Sequence, residues 1–268
     1  MGKATREAYG NALARIGKEN TNIIVLDADL SKSTKTDTFK AVCPERFFNV
    51  GIAEQNLISV GAGLAAAGKI PFVSSFSMFA TGRAFEQIRN AVCYPKLNVK
   101  VCATHAGITV GEDGATHQSL EDISCMRTLP NMTVVVPADE RETEAVIEWA
   151  ASYNGPVYVR LGRAGVDDVT TEGYSFVPGK STILVDGSDV TIIACGALVG
   201  SAVEASKTLS ESNIPARVIN MASIKPIDAE AIIKAAAETG AIVTAEEHNI
   251  IGGLGSAVSE VVASNKPV

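Results

Sequence analysis

The sequence predicts an α/β protein made of two three-layer α/β/α domains, the first with a mainly parallel sheet and the second smaller. A length of 268 residues suits about two domains. Short apolar, β-branched segments alternate along the chain with longer segments of helical periodicity. Because the predicted strands are apolar throughout, they are typical of a parallel sheet that helices cover on both faces.

The first predicted domain comprises residues 1–163. A helix over 56–68 is rich in small residues that allow close packing, and a helix over 138–152 has an amphipathic pattern. The predicted strands of this domain are 22–29, 70–76, 98–106, 132–139 and 155–162.

Residues 164–180 are polar and rich in turn-forming residues, which predicts a linker between the domains. The second predicted domain, residues 181–268, resumes the α/β alternation. Its first segment, "STILVDGSDVTIIACG", resembles a hairpin-like pair of strands. The later predicted elements are a helix over 197–211, a strand over 216–221, a helix over 228–238, a strand over 241–248 and a last helix that opens at "GGLG".

Composition excludes several classes of protein. The formal charge of −7 argues against a nucleic-acid or anionic-membrane surface. The five cysteines are odd in number and form no CxxC pair, so neither a zinc site nor a disulfide framework is indicated. The N-terminal "MGKATREAYG" has no apolar signal region, and no apolar stretch is long enough to span a bilayer. We therefore expect a cytoplasmic protein that binds neither nucleic acid nor membrane.

Ligands of doubly wound sheets bind at the carboxyl ends of the strands. The polar residues that follow the predicted strands are therefore expected to meet at one edge of the first sheet. They are Asp27, Asp29, residues 74–76, His105, Arg160 and Arg163.

The segment "THAGITVGEDGATHQ", residues 104–118, holds two of the chain's three histidines, His105 and His117. With Asp113 between them they could bind a metal, but their spacing is not a recognised ligand pattern and no third ligand is near. They could instead donate hydrogen bonds to an oxygen-rich substrate while Asp113 binds a hydroxyl. A plain turn with surface acids is the third interpretation, and composition alone does not choose.

Three further features each have a structural and a functional interpretation. Glu54 either complements a helix dipole or is a buried carboxylate that needs a partner, because its neighbours in "NVGIAEQN" are apolar or glycine. Phe76, Phe79 and Phe85 form either part of the core or a slot for a flat aromatic ligand. Arg163 forms either a surface ion pair or a bidentate fork for a phosphate.

Taken together, these segments resemble the C-terminal half of the transketolase family of thiamine-diphosphate enzymes. The resemblance runs in order from residue 4 to about residue 259, and "GIAEQN" with "GEDGATHQ" carries most of its specificity. The other matching segments are "ATREAYG", "DADLSKST", "FSMFATG", "VVVPAD", "GPVYVRLGR", "SIKPID" and "EEHNIIGGLGSAV".

The resemblance implies that the first domain binds the aminopyrimidine of thiamine diphosphate and that the second is the family's C-terminal domain. Glu54 falls on the catalytic glutamate, which shares a proton with N1′ of the pyrimidine. Phe76 and Phe79 match the aromatic slot around that ring, and Asp29 matches an acid near the cofactor. His117 matches a histidine near the cofactor amine and the reacting carbons.

The resemblance also implies a substrate site. Asp113 matches the acid that binds a substrate hydroxyl. The residues that match the family's sugar-phosphate site are Arg6, Ser33, His105 and Arg163. His105 is thus expected at the phosphate end, and His117 at the reacting end, of one bound sugar.

The sequence departs from the family pattern in several places. A third slot aromatic aligns roughly with Gly82, which leaves open whether Phe85 replaces it. Ala106 stands where the family usually has an acid, and the chain stops at Val268, earlier than the family's C-terminal domain normally ends, so that domain is expected to be incomplete. The sequence contains no GDG…N motif for a Mg²⁺-bound diphosphate, and no metal ligand is expected in this chain.

These implications together indicate the smaller subunit of a split transketolase. A separate N-terminal subunit would bring Mg²⁺ and the diphosphate site, in an α₂β₂ assembly. The pair would transfer a two-carbon ketol unit from a ketose phosphate to an aldose phosphate, as in the pentose phosphate pathway. The alternatives are a 1-deoxyxylulose-5-phosphate synthase-like subunit, a subunit like the β chain of a 2-oxoacid dehydrogenase E1 component, and a non-catalytic regulatory subunit of the same fold.

Overall fold

The computed structural model describes residues 2–267, so that Met1 and Val268, the two ends of the predicted domains, lie outside the described residues. It contains a seven-stranded sheet of order β10-β5-β6-β4-β3-β1-β2 and a four-stranded sheet of order β11-β8-β9-β7. The strands are β1 (Ile23–Asp27), β2 (Phe47–Asn49), β3 (Ile70–Phe76), β4 (Lys100–Thr104), β5 (Thr133–Val135), β6 (Val157–Arg160), β7 (Thr182–Val185), β8 (Val190–Ala194), β9 (Ala216–Asn220), β10 (Ser223–Lys225) and β11 (Ile242–Ala245).

The helices cover both sheets. They are α1 (Thr5–Glu19), α2 (Ser31–Thr34), α3 (Asp37–Val42), α4 (Glu54–Ala66), α5 (Phe85–Gln87), α6 (Asp122–Thr128), α7 (Glu140–Ser152), α8 (Leu198–Glu211), α9 (Ala229–Glu238) and α10 (Leu254–Asn265). Residues 78–83 and 88–93 form π-helical turns, and residues 44–46 and 108–113 form 3₁₀ turns. Between residues 2 and 267, no helix combines the length and apolar character that crossing a membrane requires.

The predicted fold class is confirmed. Six of the seven strands of the first sheet run parallel, and their side chains are mostly buried on both faces. The seventh strand, β10, pairs antiparallel with β5 although it comes from the part of the chain assigned to the second domain. The sequence pattern predicted neither β2 nor β10 as a separate strand, because three residues are too few to show a period.

The predicted hairpin in the second domain is wrong. Strands β7 and β8 do not pair with each other, because β9 lies between them, antiparallel to β7 and parallel to β8. The intervening Asp186–Gly187 has the composition of a hairpin turn. Here the backbone N–H groups of Ser188 and Asp189 both donate to the carbonyl of Pro215, so the turn closes around the start of β9.

One hydrophobic core joins the two domains. It includes Val101 and Val134 of the first sheet, Ile193 and Ile219 of the second, and Leu254 of α10, each less than a tenth exposed. A second cluster lies on the other face of the first sheet, beneath α1 and α7. The end of β3, the loop after β4 and the N-terminus of α4 thus project from a rigid base, and they carry the site described next.

Candidate active site

Glu54 is the first residue of α4, and its side chain is only 1% exposed. One carboxylate oxygen lies 2.6 Å from Nη1 of Arg83 and the other 3.3 Å from the hydroxyl of Ser75. Arg83 itself is half exposed. Glu54 is therefore a buried carboxylate with a cationic partner, which decides between the two interpretations of its position in favour of the second.

Two phenylalanine rings lie next to the Glu54–Arg83 pair, since the guanidinium of Arg83 also contacts Phe79. Phe76 ends β3 and Phe79 lies in the π-helical turn that follows, with ring centroids 5.9 Å apart and ring planes 16° apart. The ring of His117 meets both edge-on, at 6.0 Å from Phe76 and 5.1 Å from Phe79. The structure thus brings together four residues that the sequence resemblance assigned to one place.

Arg83 was missed at the sequence level. Its guanidinium lies over the ring of Phe79, 4.7 Å from the centroid, while it also binds Glu54. Phe85 instead packs against the hydrophobic core. The π-helical turn over 78–83 widens the backbone at this point and so places the side chain after Gly82 over the slot. The available signal was that the family's third slot aromatic aligns only roughly with this segment, at Gly82.

His105 connects the two ends of the site. Its ring stacks on Phe76 with centroids 3.8 Å apart, and its Nε2 lies 3.3 Å from Nη1 of Arg6. Burial and the charges of Arg6 and Arg163 lower the pKa of His105 to about 3, so the ring is neutral at pH 7. Because Arg6 can only donate, Nε2 accepts, and the proton lies on Nδ1, which donates to the hydroxyl of Thr104 at 2.8 Å.

The residues assigned to the sugar phosphate also lie close together. Arg6 donates to the carbonyl of Ser33 at 2.9 Å, and its Nε is buried without a hydrogen-bond partner among the described residues. Burial and the neighbouring charge of Arg163 lower the pKa of Arg6. These two guanidinium groups, one of which has an unused donor, are called the positive site here. They offer charged hydrogen-bond donors to an anion, while Glu112 and Asp113 offset part of their charge.

Arg163 is engaged by the loop that it faces. It pairs with Glu112, lies 3.7 Å from Asp113, and donates to the carbonyl of Val110. Its neighbours Glu112 and Asp113 belong to the 3₁₀ turn between the two histidines. An anion that reaches Arg163 therefore has to compete with these two carboxylates.

Three other residues of the predicted sheet edge, Asp29, Asp27 and Arg160, bond to residues outside the group just described. Asp29 is exposed and accepts from the amide of Asn49 at 2.7 Å. Asp27 is fully buried and accepts hydrogen bonds from Leu30 N–H and from two threonine hydroxyls, and burial raises its pKa. Arg160 is buried in an ion pair with Asp122 at 2.7 Å, so it supports the fold beneath the site.

Comparison with known proteins identifies the family. The model of the family "Transketolase, pyrimidine binding domain" matches residues 1–167. The model of the family "Transketolase, C-terminal domain" matches residues 179–267.

Individual relatives agree with these matches. A Methanocaldococcus jannaschii protein named as a transketolase C-terminal section is 56% identical over 265 residues, which cover 98% of this chain and 83% of the relative. A 6-deoxy-6-sulfo-D-fructose transketolase subunit from Clostridium sp. is 42% identical over 263 residues, 98% of this chain and 82% of that one. A solved structure described as a split gene transketolase in an inactive β4 tetramer matches with a TM-score of 0.94 and 58% identity, over 100% of this chain and 88% of that one. The chain therefore belongs to the transketolase family.

Proposed function

We propose that this chain is the smaller subunit of a split transketolase that transfers a two-carbon ketol unit from a ketose phosphate to an aldose phosphate. The observation that carries the proposal is the buried carboxylate of Glu54 beside the near-parallel rings of Phe76 and Phe79. A buried carboxylate is costly unless it has a dedicated partner, so its position argues for a function.

The slot fits the aminopyrimidine of thiamine diphosphate. The rings of Phe76 and Phe79 offer stacking surfaces, and Glu54 offers a carboxylate that can hold a proton at a ring nitrogen. Arg83 covers part of this slot and has to move aside for a ring to approach Glu54. When bound, the cofactor supplies the electron sink that stabilises a carbanion.

The loop residues would bind and orient the sugar. His117 lies edge-on to the slot, so it can exchange a proton or a hydrogen bond with a hydroxyl held there. Asp113 can accept a hydrogen bond from a hydroxyl further along the sugar. His105 is neutral and fixed by Thr104, and it lies between the ring slot and the positive site. It would set the orientation of the sugar that extends from one to the other.

The positive site of Arg6 and Arg163, next to Ser33, would bind the anionic end of the sugar. The buried Nε of Arg6 supports this role, because a phosphate oxygen would satisfy it. One relative is named for a sulfonated sugar, and a sulfonate offers guanidinium groups the same kind of oxygen. We assign the substrate class as sugars that carry a terminal oxyanion, and we expect a phosphate to be preferred over a sulfonate.

The remaining half of the site would come from an N-terminal subunit. We propose that this partner binds the diphosphate and Mg²⁺, that Asp29 lies at the boundary between the two chains, and that the assembly is α₂β₂ in the cytoplasm. The names of the relatives as a section and a subunit support a partner. The solved split-gene structure supports it as well, because that β4 tetramer is described as inactive.

The direct test uses this chain reconstituted with its N-terminal partner, Mg²⁺ and thiamine diphosphate. Glu54→Gln preserves the shape of the side chain but cannot exchange the proton, so we expect ketol transfer to fall at least about 100-fold while assembly is unchanged. Glu45→Gln is the matched control, because Glu45 is a surface carboxylate of the same domain. Near-normal turnover by Glu54→Gln would refute the role of Glu54.

The reconstituted pair of wild-type subunits separates the alternative reactions when it is assayed with different donor substrates. Xylulose 5-phosphate as donor should support turnover, whereas pyruvate should not. Pyruvate consumption would instead indicate a 1-deoxyxylulose-5-phosphate synthase or a 2-oxoacid dehydrogenase component. A correctly assembled pair that turns over neither compound would indicate a regulatory subunit.

A further inference from the structure

We propose that Glu247 of the second domain is a positioning residue that holds the active-site loop of the first domain, residues 105–120, in its working conformation. The expected change in KM rests on the proposed function, whereas the expected change in the position of the loop does not. Nothing in the sequence resemblance assigned a role to this glutamate, which follows a strand of the second sheet rather than one of the first.

Glu247 follows β11 and reaches across the domain boundary. Its side chain is 8% exposed, and Oε1 accepts a hydrogen bond from the backbone N–H of Thr109 at 2.5 Å. Gly107 lies against the carboxyl group, and a Cβ at this position would overlap it. Gly107 also has a φ of 84°, so both the space and the backbone there require glycine.

Further contacts fix the same two segments to each other. Arg160 donates through Nη2 to the carbonyl of Glu247 at 2.8 Å and to that of Ser119 at 3.3 Å. The backbone N–H and the side-chain amide of Asn249 both donate to the carbonyl of Leu120, at 3.0 Å and 2.6 Å. The loop is thus held at its far end by Asn249 and near its start by Glu247.

Between these anchors the loop has little regular structure to fix it. Residues 108–113 form a 3₁₀ turn with a kink at Gly111, and Gly114 follows with a φ of 75°. Exposed segments of this kind open at low free-energy cost, so the anchors decide their position, together with the contacts that Arg163 makes to Val110 and Glu112. Glu247 is the anchor nearest to the anion site, since Thr109 precedes Val110, whose carbonyl binds Arg163.

Loss of the Glu247 carboxylate should therefore displace the anion-binding end of the site first. In the reconstituted complex we expect Glu247→Ala to raise the KM for a ketose phosphate about tenfold and to change kcat by less than about threefold, because small misplacements of binding groups cost one to two orders of magnitude. Glu247→Gln keeps an oxygen that can accept from Thr109 and should restore KM to within about threefold of wild type.

The adjacent glutamate is a matched control. Glu246 accepts from the backbone N–H groups of Leu254 and Gly255 and so caps α10 within its own domain. Glu246→Ala should lower the melting temperature and leave KM unchanged. Equal effects of the two alanine variants on KM, or no effect of Glu247→Ala on it, would overturn the proposal.

Amide hydrogen exchange tests the inference independently of activity. In the assembled complex, Glu247→Ala should speed exchange across residues 108–118 at least about tenfold, whereas Glu246→Ala should not. Unchanged exchange in Glu247→Ala would overturn the positioning role even if ketol transfer is confirmed. Faster exchange in a complex without ketol transfer would uphold it and reject only the proposed reaction.

Discussion

Lys100, at the start of β4, has a side chain that is completely buried in the first domain. Its amine donates to the carbonyls of Tyr153 and Gly155 at 2.7 Å and 2.8 Å. Burial lowers the pKa of Lys100 from 10.5 to about 7. The unfolded chain therefore binds more protons than the folded chain between these two values, and the free energy of unfolding rises with pH across that window.

Replacing this lysine should remove that dependence. Between pH 7 and pH 9 we expect the free energy of unfolding of the wild type to rise relative to Lys100→Met by as much as about 1.4 kcal/mol per pH unit. Urea titrations of both proteins at several pH values measure the difference, in which other titrating groups cancel. A difference that is constant with pH would contradict the lowered pKa.

At the residue scale, the sequence predicted which types of residue meet at one edge of the first sheet, but not all of their hydrogen-bond and ion-pair partners. The apolar surroundings of Glu54 left open whether it complements a helix dipole or is buried with a partner, and the structure shows it buried with Arg83 as that partner. Arg83 could not be predicted because a π-helical turn shifts which side chain faces the slot, and no simple period reveals such a turn. The functional roles assigned to the site residues all stay predictions; these residues are Glu54, His117, Phe76, Phe79, Asp29, Arg6, Ser33, His105, Asp113 and Arg163.

At the scale of elements, the N-terminus of α7 is also an attachment point for the linker. Asp139 caps this helix by accepting from the N–H of Glu142, and it accepts as well from the N–H groups of Val169 and Thr170. Its side chain is fully buried. One carboxylate therefore caps the start of a helix and also fixes the segment that leads to the second domain.

Asp139→Ala should be costly for this reason. Loss of the cap removes about 1 kcal/mol, and leaving buried N–H groups unsatisfied costs roughly 1–3 kcal/mol more. Chemical denaturation followed by circular dichroism measures the change. The control is Asp189→Ala, at an exposed position, which should stay within about 0.5 kcal/mol of wild type. Equal stability of the two variants would contradict the assigned role of Asp139.

Long, periodic elements were predicted well and short or non-local ones were not. The helix over 138–152 and the strand over 70–76 correspond closely to α7 and β3. The hairpin error arose because a turn sequence reports local geometry, whereas the partner of β7 is decided by the crossover through α8 that brings β9 beside β8. The three-residue strands β2 and β10 carry no periodic signal of their own.

At the scale of the whole molecule, the two domains share material that should make them unfold together. The core cluster with Leu254 extends through both sheets, and β10 belongs to the first sheet. The predicted two-domain fold is confirmed, whereas the boundaries at residues 163 and 181 stay a prediction. Sequence periodicity could not reveal the shared core, because it reports which face of an element is buried and not which element covers it.

A destabilising substitution in the second domain should therefore also lower the stability of the first domain. Leu254 is fully buried, so Leu254→Ala should destabilise the protein by about 2–5 kcal/mol. The single tryptophan, Trp149, lies on α7 of the first domain, and its fluorescence transition in urea should shift by the full amount. The exposed Ser264→Ala on the same helix serves as control. A Trp149 transition unaffected by Leu254→Ala would mean that the domains unfold independently.

The antiparallel strand β10 also has a practical consequence for anyone who divides this polypeptide. Because β10 pairs with β5, severing the chain between residues 168 and 178 would strip the first sheet of its outermost member and leave a row of unpaired backbone donors and acceptors. Unpaired strand edges of this kind pair with strands from neighbouring molecules and lead to aggregation. The N-terminal fragment should thus precipitate on its own, and adding back the severed C-terminal piece should keep it in solution.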